Sequence, residues 1–273
     1  MSAMLQPGAV ALLGIPLDEN SSFLRGSASA PDFIRRALHS DSTNLCAENG
    51  VDLGAEAAWE DMGDLEFEPE RSSFEQIEER IDQLLEDDLR VLALGGDHSI
   101  SYPIVSAYAR KHTRLNILHL DAHPDLYDEL EGSRSSHACP FARIMEEKLA
   151  LRLVQVGIRT MNPHQRQQAE RFGVEVVEAR HFHALTELTL DAPLYLSVDL
   201  DVLDPAFAPG VSHHEPGGLT TRDVLDVIQG LGDRLVGADI VELNPERDPS
   251  GITAMVAAKL TKEIIVRMLK TGR

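Results

Sequence analysis

Short apolar runs alternate with amphipathic stretches along nearly the whole chain, and this alternation most limits how it can fold. Residues 10–15, 90–94, 116–120, 153–156, 174–177, 194–198 and 236–241 have the length and the β-branched or leucine content of strands. Between them, residues 74–85, 102–111, 141–149, 163–172 and 221–231 repeat apolar side chains near the helical period, and a last helix spans 252–269. Strands apolar on both faces and separated by helices predict a parallel sheet covered on both sides. No linker, low-complexity tract or internal repeat breaks the pattern, so residues 1–273 read as one α/β domain.

The apolar fraction of 43% beside 26% charged residues is that of a globular chain with a full core. Acidic residues outnumber basic ones 45 to 25, for a formal charge of -20. Such a surface repels phosphate backbones and anionic headgroups, which argues against nucleic acid or membranes as partners, and it attracts cations. No apolar stretch approaches the ~20 residues needed to span a bilayer. The apolar run at 9–15 has neither a basic segment before it nor a cleavage site after it, and the chain has only two cysteines, Cys46 and Cys139. These features lead us to expect a cytoplasmic protein.

In parallel α/β sheets, ligands bind beyond the carboxyl ends of the strands. Three of the apolar runs end in similar polar clusters: Gly95-Gly96-Asp97-His98-Ser99, Asp121-Ala122-His123-Pro124-Asp125, and Ser197-Val198-Asp199-Leu200-Asp201. Residues i and i+2 of a strand share a face, roughly 6.5–7 Å apart. Asp199 with Asp201, and Asp121 with His123, would then present paired donors. Several carboxylates crowded into one partly buried cleft disfavour joint ionisation. No lysine or arginine lies within these motifs to offset them, so divalent cations are the natural counter-charge. His98, Asp121, His123, Asp125, Asp199 and Asp201 are the candidate ligands. A carboxylate-rich set with a minority of imidazoles suits manganese or magnesium better than structural zinc. Two ions about 3.5–4 Å apart would lower the pKa of a shared water enough to make it a nucleophile near neutral pH.

These three motifs, in this order, resemble the ureohydrolase family of arginases and agmatinases. Phe23-Leu24-Arg25-Gly26, Ser42-Thr43-Asn44, Gln155-Val156-Gly157-Ile158-Arg159, the segment from Ala206 to His213 and the segment from Gly251 to Leu260 are most similar to plant-type arginases. The resemblance implies a three-layer α/β/α sandwich with a mostly parallel sheet, assembled as homotrimers or homohexamers. It also implies two Mn2+ per subunit on the six candidate ligands, and hydrolysis of a small cationic guanidino substrate to urea and an amine. Glu242 would grip the guanidinium, a pairing that suits a carboxylate and a planar cation. His137 would pass a proton to the departing amine, as an imidazole can near pH 7, and Asp125 would relay one beside the nucleophile.

Arginine is the substrate that plant-type similarity favours, with agmatine or another guanidino acid as the alternative. Arg134, in a place where the plant enzymes carry a lysine, is the candidate partner for a substrate carboxylate. His213 is a candidate substrate contact, and His214 beside it departs from the plant pattern. Cys139 near His137 offers a Cys/His pair, but with no third member. A metal-binding regulatory subunit without activity is the reading from a different class, since fold does not fix function; the complete ligand set argues against it.

Overall fold

The computed structural model describes residues 5–184, 190, 193–231 and 235–270. Eight parallel strands, β1 Val10–Ile15, β2 Trp59–Asp64, β3 Arg90–Gly95, β4 Asn116–Leu120, β5 Arg152–Ile158, β6 Glu175–Glu178, β7 Leu194–Asp199 and β8 Leu235–Val241, lie in the order β2-β1-β3-β8-β7-β4-β5-β6. The helices are α1 Ala30–Leu38, α2 Ser73–Glu86, α3 Ser101–Lys111, α4 Pro140–Glu146, α5 Pro163–Phe172, α6 Thr221–Gly230 and α7 Ile252–Lys270.

Successive side chains of a strand point to opposite faces, and both faces are apolar here. Val10 and Leu12 pack with α1, α6 and α7, whereas Ala11 and Leu13 pack with α2, α3 and α4. The result is the expected α/β/α sandwich, with every strand pair parallel.

Three elements depart from the sequence reading. The edge strand β2, Trp-Glu-Asp-Met-Gly-Asp, has no apolar run, because its outer side meets solvent and its acids meet Arg35 of α1. Charged residues on an edge also discourage pairing with a second sheet. Helix α1 spaces Ala30, Ile34, Ala37 and Leu38 along its buried side and carries Pro31 in its first turn, a start signal that the strand-led reading passed over. Helix α4 stops three residues before the expected end, at Glu146, and Lys148 just beyond it takes a left-handed φ of 57°.

The strand order places β3, β8, β7 and β4 side by side in the middle of the sheet. β3 leads through α3 to β4, with β8 and β7 lying between them in the sheet, so the chain crosses over at this point. The loops after these four strands carry His98, the 121–125 segment, the 199–201 segment and Glu242.

Candidate metal centre

The same local device repeats at three strand ends. Asp97 Oδ1 accepts the Ser99 N–H at 3.0 Å, Asp121 Oδ1 accepts the His123 N–H at 2.5 Å, and Asp199 Oδ1 accepts the Asp201 N–H at 2.8 Å. Each aspartate closes a turn by bonding the backbone two residues on. This corrects the geometry expected from sequence. Asp201 sits in a 3-10 turn after β7, and His123 in a loop after β4, so neither pair runs on as strand. The turns draw the donors together more tightly than strand spacing would.

Gly95 and Gly96 are small because of crowding and have no positive φ. A Cβ on Gly96 would collide with the Leu17 carbonyl, and one on Gly95 with Ile100 and Val241.

All six candidate donors converge. His98 Nδ1 lies 3.2 Å from Asp121 Oδ2, 3.1 Å from Asp125 Oδ2 and 3.2 Å from Asp199 Oδ2. His123 Nδ1 lies 2.9 Å from Asp201 Oδ2 and 3.5 Å from Asp121 Oδ1. The set thus divides into two halves that share Asp121. One half is fully buried around His98; the other, around His123, is partly open.

Hydrogen bonding places one proton of the His98 ring. Ser197 Oγ donates to Asp239 Oδ1 at 2.7 Å, so its lone pair accepts from His98 Nε2 at 2.9 Å. Nδ1 faces three carboxylate oxygens and makes no hydrogen bond among the described residues. Burial lowers the His98 pKa, but Asp121, Asp125 and Asp199 outweigh it and raise it well above the usual value, so the cluster calls for a cation, a proton or a metal ion, among these oxygens. Within the protein's own groups, burial and then the neighbouring Asp201 and Asp121 charges push the Asp199 carboxyl well above its usual range. Burial likewise raises Asp201. A divalent cation would remove both penalties, so the residues fit a metal centre.

A polar row that the sequence reading missed braces this centre. Gln155, His119, Ser197 and Asp239 stand side by side on β5, β4, β7 and β8, in register. His119 Nε2 donates to Asp121 Oδ2 at 2.7 Å, and Gln155 Nε2 bonds His119 Nδ1 at 3.0 Å. With both nitrogens engaged, His119 orients Asp121 although it lies close enough to be a donor itself. Asp239 also accepts from Ser101 Oγ at 2.9 Å and the Tyr195 hydroxyl at 2.7 Å. The available signal was polar residues inside otherwise apolar strands.

A cleft opens over the donors, lined in part by Ser22, Tyr127, His137, Thr160, His213 and Glu242. Glu242 Oε1 accepts the His98 N–H at 2.9 Å and His137 Nδ1 at 2.7 Å. Burial opposes its charge, but His137 and the His98 amide hold its carboxyl below the usual range. Glu242 and Asp125 both take left-handed backbone, φ 66° and 48°, a conformation that costs about 1 kcal/mol or more and concentrates at functional sites. His137 Nε2 meets Ser22 Oγ at 2.8 Å and, when the ring is neutral, accepts the Ser22 N–H at 3.2 Å. Burial lowers the His137 pKa, but Glu242 and then Asp125 and Asp97 outweigh it and raise it to about 9. His213 packs against His137 and Phe23, with ring centroids 5.4 and 5.6 Å away.

Arg134 is placed elsewhere. Its guanidinium pairs with Asp128 and Glu146, each at 2.6 Å, and it is not among the residues lining the cleft. To meet a substrate carboxylate it would have to leave both acids. His214 turns to the Pro209 carbonyl and Arg247. Cys139 faces the Ser133 carbonyl, and burial pushes its thiol up to about 12, so it holds no thiolate at neutral pH.

Comparison with known proteins agrees with this geometry. The model of the Arginase family matches residues 8–266. Arginase 1, mitochondrial, of Arabidopsis thaliana is 49% identical over 96% of this chain and 82% of its own length. The arginase structure from Medicago truncatula superposes with a TM-score of 0.90 at 46% identity, over 95% of this chain and 87% of that one. Proclavaminate amidino hydrolase from Streptomyces clavuligerus gives a TM-score of 0.87 at 32% identity, over 97% and 93%. The expected cytoplasmic location is overturned, because the Arabidopsis relative is a mitochondrial protein by name. Scarce cysteines suit any reducing compartment and do not distinguish one from another. No helix among the described residues is long and apolar enough to cross a membrane.

Proposed function

The chain belongs to the arginase family of metal-dependent hydrolases acting on guanidino groups, and we propose that it is an arginase holding two Mn2+ on His98, Asp121, His123, Asp125, Asp199 and Asp201. The observation that carries this reading is His98 Nδ1, buried without a hydrogen bond and faced by three carboxylates that call for a cation. A carboxylate-rich donor set with two imidazoles suits hard divalent cations such as manganese. Two such ions would supply an activated water as nucleophile near neutral pH and stabilise charge developing on the guanidino group.

The chain's own residues perform the remaining tasks. Glu242 binds and orients the guanidinium by a charge-assisted pair. It is fixed for this by the His98 amide and by its rigid left-handed backbone. The Asp125 carboxylate accepts the proton that the attacking water gives up. His137, held between Glu242 and Ser22, donates a proton to the departing amine. His213 lines the cleft and packs against the exposed Phe23 ring. Residues 1–273 act as one domain, supported by the unbroken eight-stranded sheet, and assemble as a homotrimer or homohexamer, as family resemblance implies.

One observation favours agmatine as the competing substrate: no lysine or arginine is among the described residues lining the cleft, so no permanently charged side chain there pairs with an amino-acid carboxylate. Urea release from arginine, agmatine and guanidinobutyrate, measured with added manganese, tests both readings. Turnover of arginine well above the other two is expected. Preference for agmatine would support the second reading, and no turnover with metal bound would overturn both.

A further inference from the structure

Arg159 follows β5; it is neither a candidate donor nor part of the cleft wall. Its guanidinium nevertheless reaches beneath the donors. Nη2 donates to the Asp201 and Glu215 carbonyls, each at 2.6 Å, and to that of Leu203 at 3.3 Å. Nη1 donates to Val202 and Gly157 carbonyls at 3.2 Å, and Nε to Glu215 at 2.8 Å. The Arg159 backbone N–H donates to the Ala122 carbonyl at 2.9 Å, between Asp121 and His123. One residue therefore ties together the ends of β4, β5 and β7 and the loop at Glu215.

The surroundings are shaped to admit this cation. Gly157 has a φ of 99°, and a Cβ there would lie 2.9 Å from the Asp121 carbonyl oxygen. A Cβ on Gly218 would come within 2.8 Å of Arg159 Nη2.

The two halves of the centre are braced differently. Around His98, the brace is the Ser197–Asp239 pair and His119. Around His123, Asp201 Oδ1 accepts the Ala122 N–H at 3.1 Å, and His123 Nε2 faces Glu215 Oε1 at 3.8 Å. Ala122, Asp201 and Glu215 are all residues whose carbonyls Arg159 holds.

We propose that Arg159 is a positioning residue that sets the spacing of His123 and Asp201 and so secures the cation at that half of the centre. The inference rests on the metal-hydrolase reading. A planar fork with five N–H donors can span these carbonyls at once, whereas a lysine ammonium cannot.

The test uses full-length protein loaded with manganese(II) chloride and passed over a desalting column, with retained metal counted by mass spectrometry. Wild type should retain two ions per chain. Arg159→Lys should retain one, with the weaker ion's dissociation constant raised about 10–100-fold. Its kcat at limiting manganese should fall far more than its KM shifts, and excess manganese should restore it. Retention of both ions at wild-type affinity, or loss of both together, would overturn the inference and leave the hydrolase reading standing. Wild type retaining none would overturn that reading and the inference with it. Arg159→Gln replaces the lysine variant if the latter does not fold; failure of both to fold assigns the residue to global stability and also overturns the inference.

Discussion

At His98 the two ring nitrogens have different duties. Nε2–H is spent on Ser197, which leaves Nδ1 to face the carboxylates and the cation they call for. His119 divides its nitrogens in the reverse sense, with Nε2 toward Asp121 and Nδ1 toward Gln155. Replacing it as His119→Ala should weaken manganese binding about 10–100-fold, measured by titration with the ion, because Asp121 loses its orienting partner. Glu242→Gln should lower kcat/KM on the guanidino substrate on the order of 100-fold, equivalent to about 2.7 kcal/mol, with bound metal unchanged. Arg134→Ala should affect arginine and agmatine equally in steady-state kinetics, since its partners are Asp128 and Glu146; a selective loss on arginine would contradict this. The six donors were legible in the sequence because aspartate and histidine stand out beyond apolar runs. His119 and Asp239 were not, because they lie within runs that were read for their apolar neighbours, and Ser197 was read only as the start of a polar cluster, without its bracing role.

At the scale of elements, the strand ends were found close to where they lie, and the turns after them were not. An aspartate that bonds the amide two residues on ends the strand and begins a turn, as Asp121 and Asp199 do. Period-two reasoning fails at that point, because it assumes that extended backbone continues. The edge strand β2 escaped for a related reason: half of its surroundings are solvent and the Arg35 guanidinium, so its sequence lacks the mark of burial. Arg35 joins α1 to Asp61 and Asp64, and its side chain is 17% exposed. Arg35→Ala should therefore destabilise the fold by about 1–2 kcal/mol in urea unfolding, while leaving kcat and KM unaltered. A change in the kinetics would mean that the clasp reaches further than the sheet edge.

Over the whole molecule, the four central strands bring their polar ends to one rim at the crossover between β3 and β4, the region where open α/β sheets bind ligands. A net charge of -20 favours cation uptake there and penalises the metal-free state by self-repulsion. Bound ions stabilise only the folded chain, so manganese at about 100 times its dissociation constant should add about 2.7 kcal/mol for one site. The thermal midpoint should rise accordingly, and chelation should reverse the gain. The most direct test of the account is a titration of metal-free protein with manganese(II) chloride, followed by calorimetry and by urea formation from arginine. Two ions per chain, with urea formation appearing as the second is bound, is the predicted result; saturation at one ion or none would contradict it.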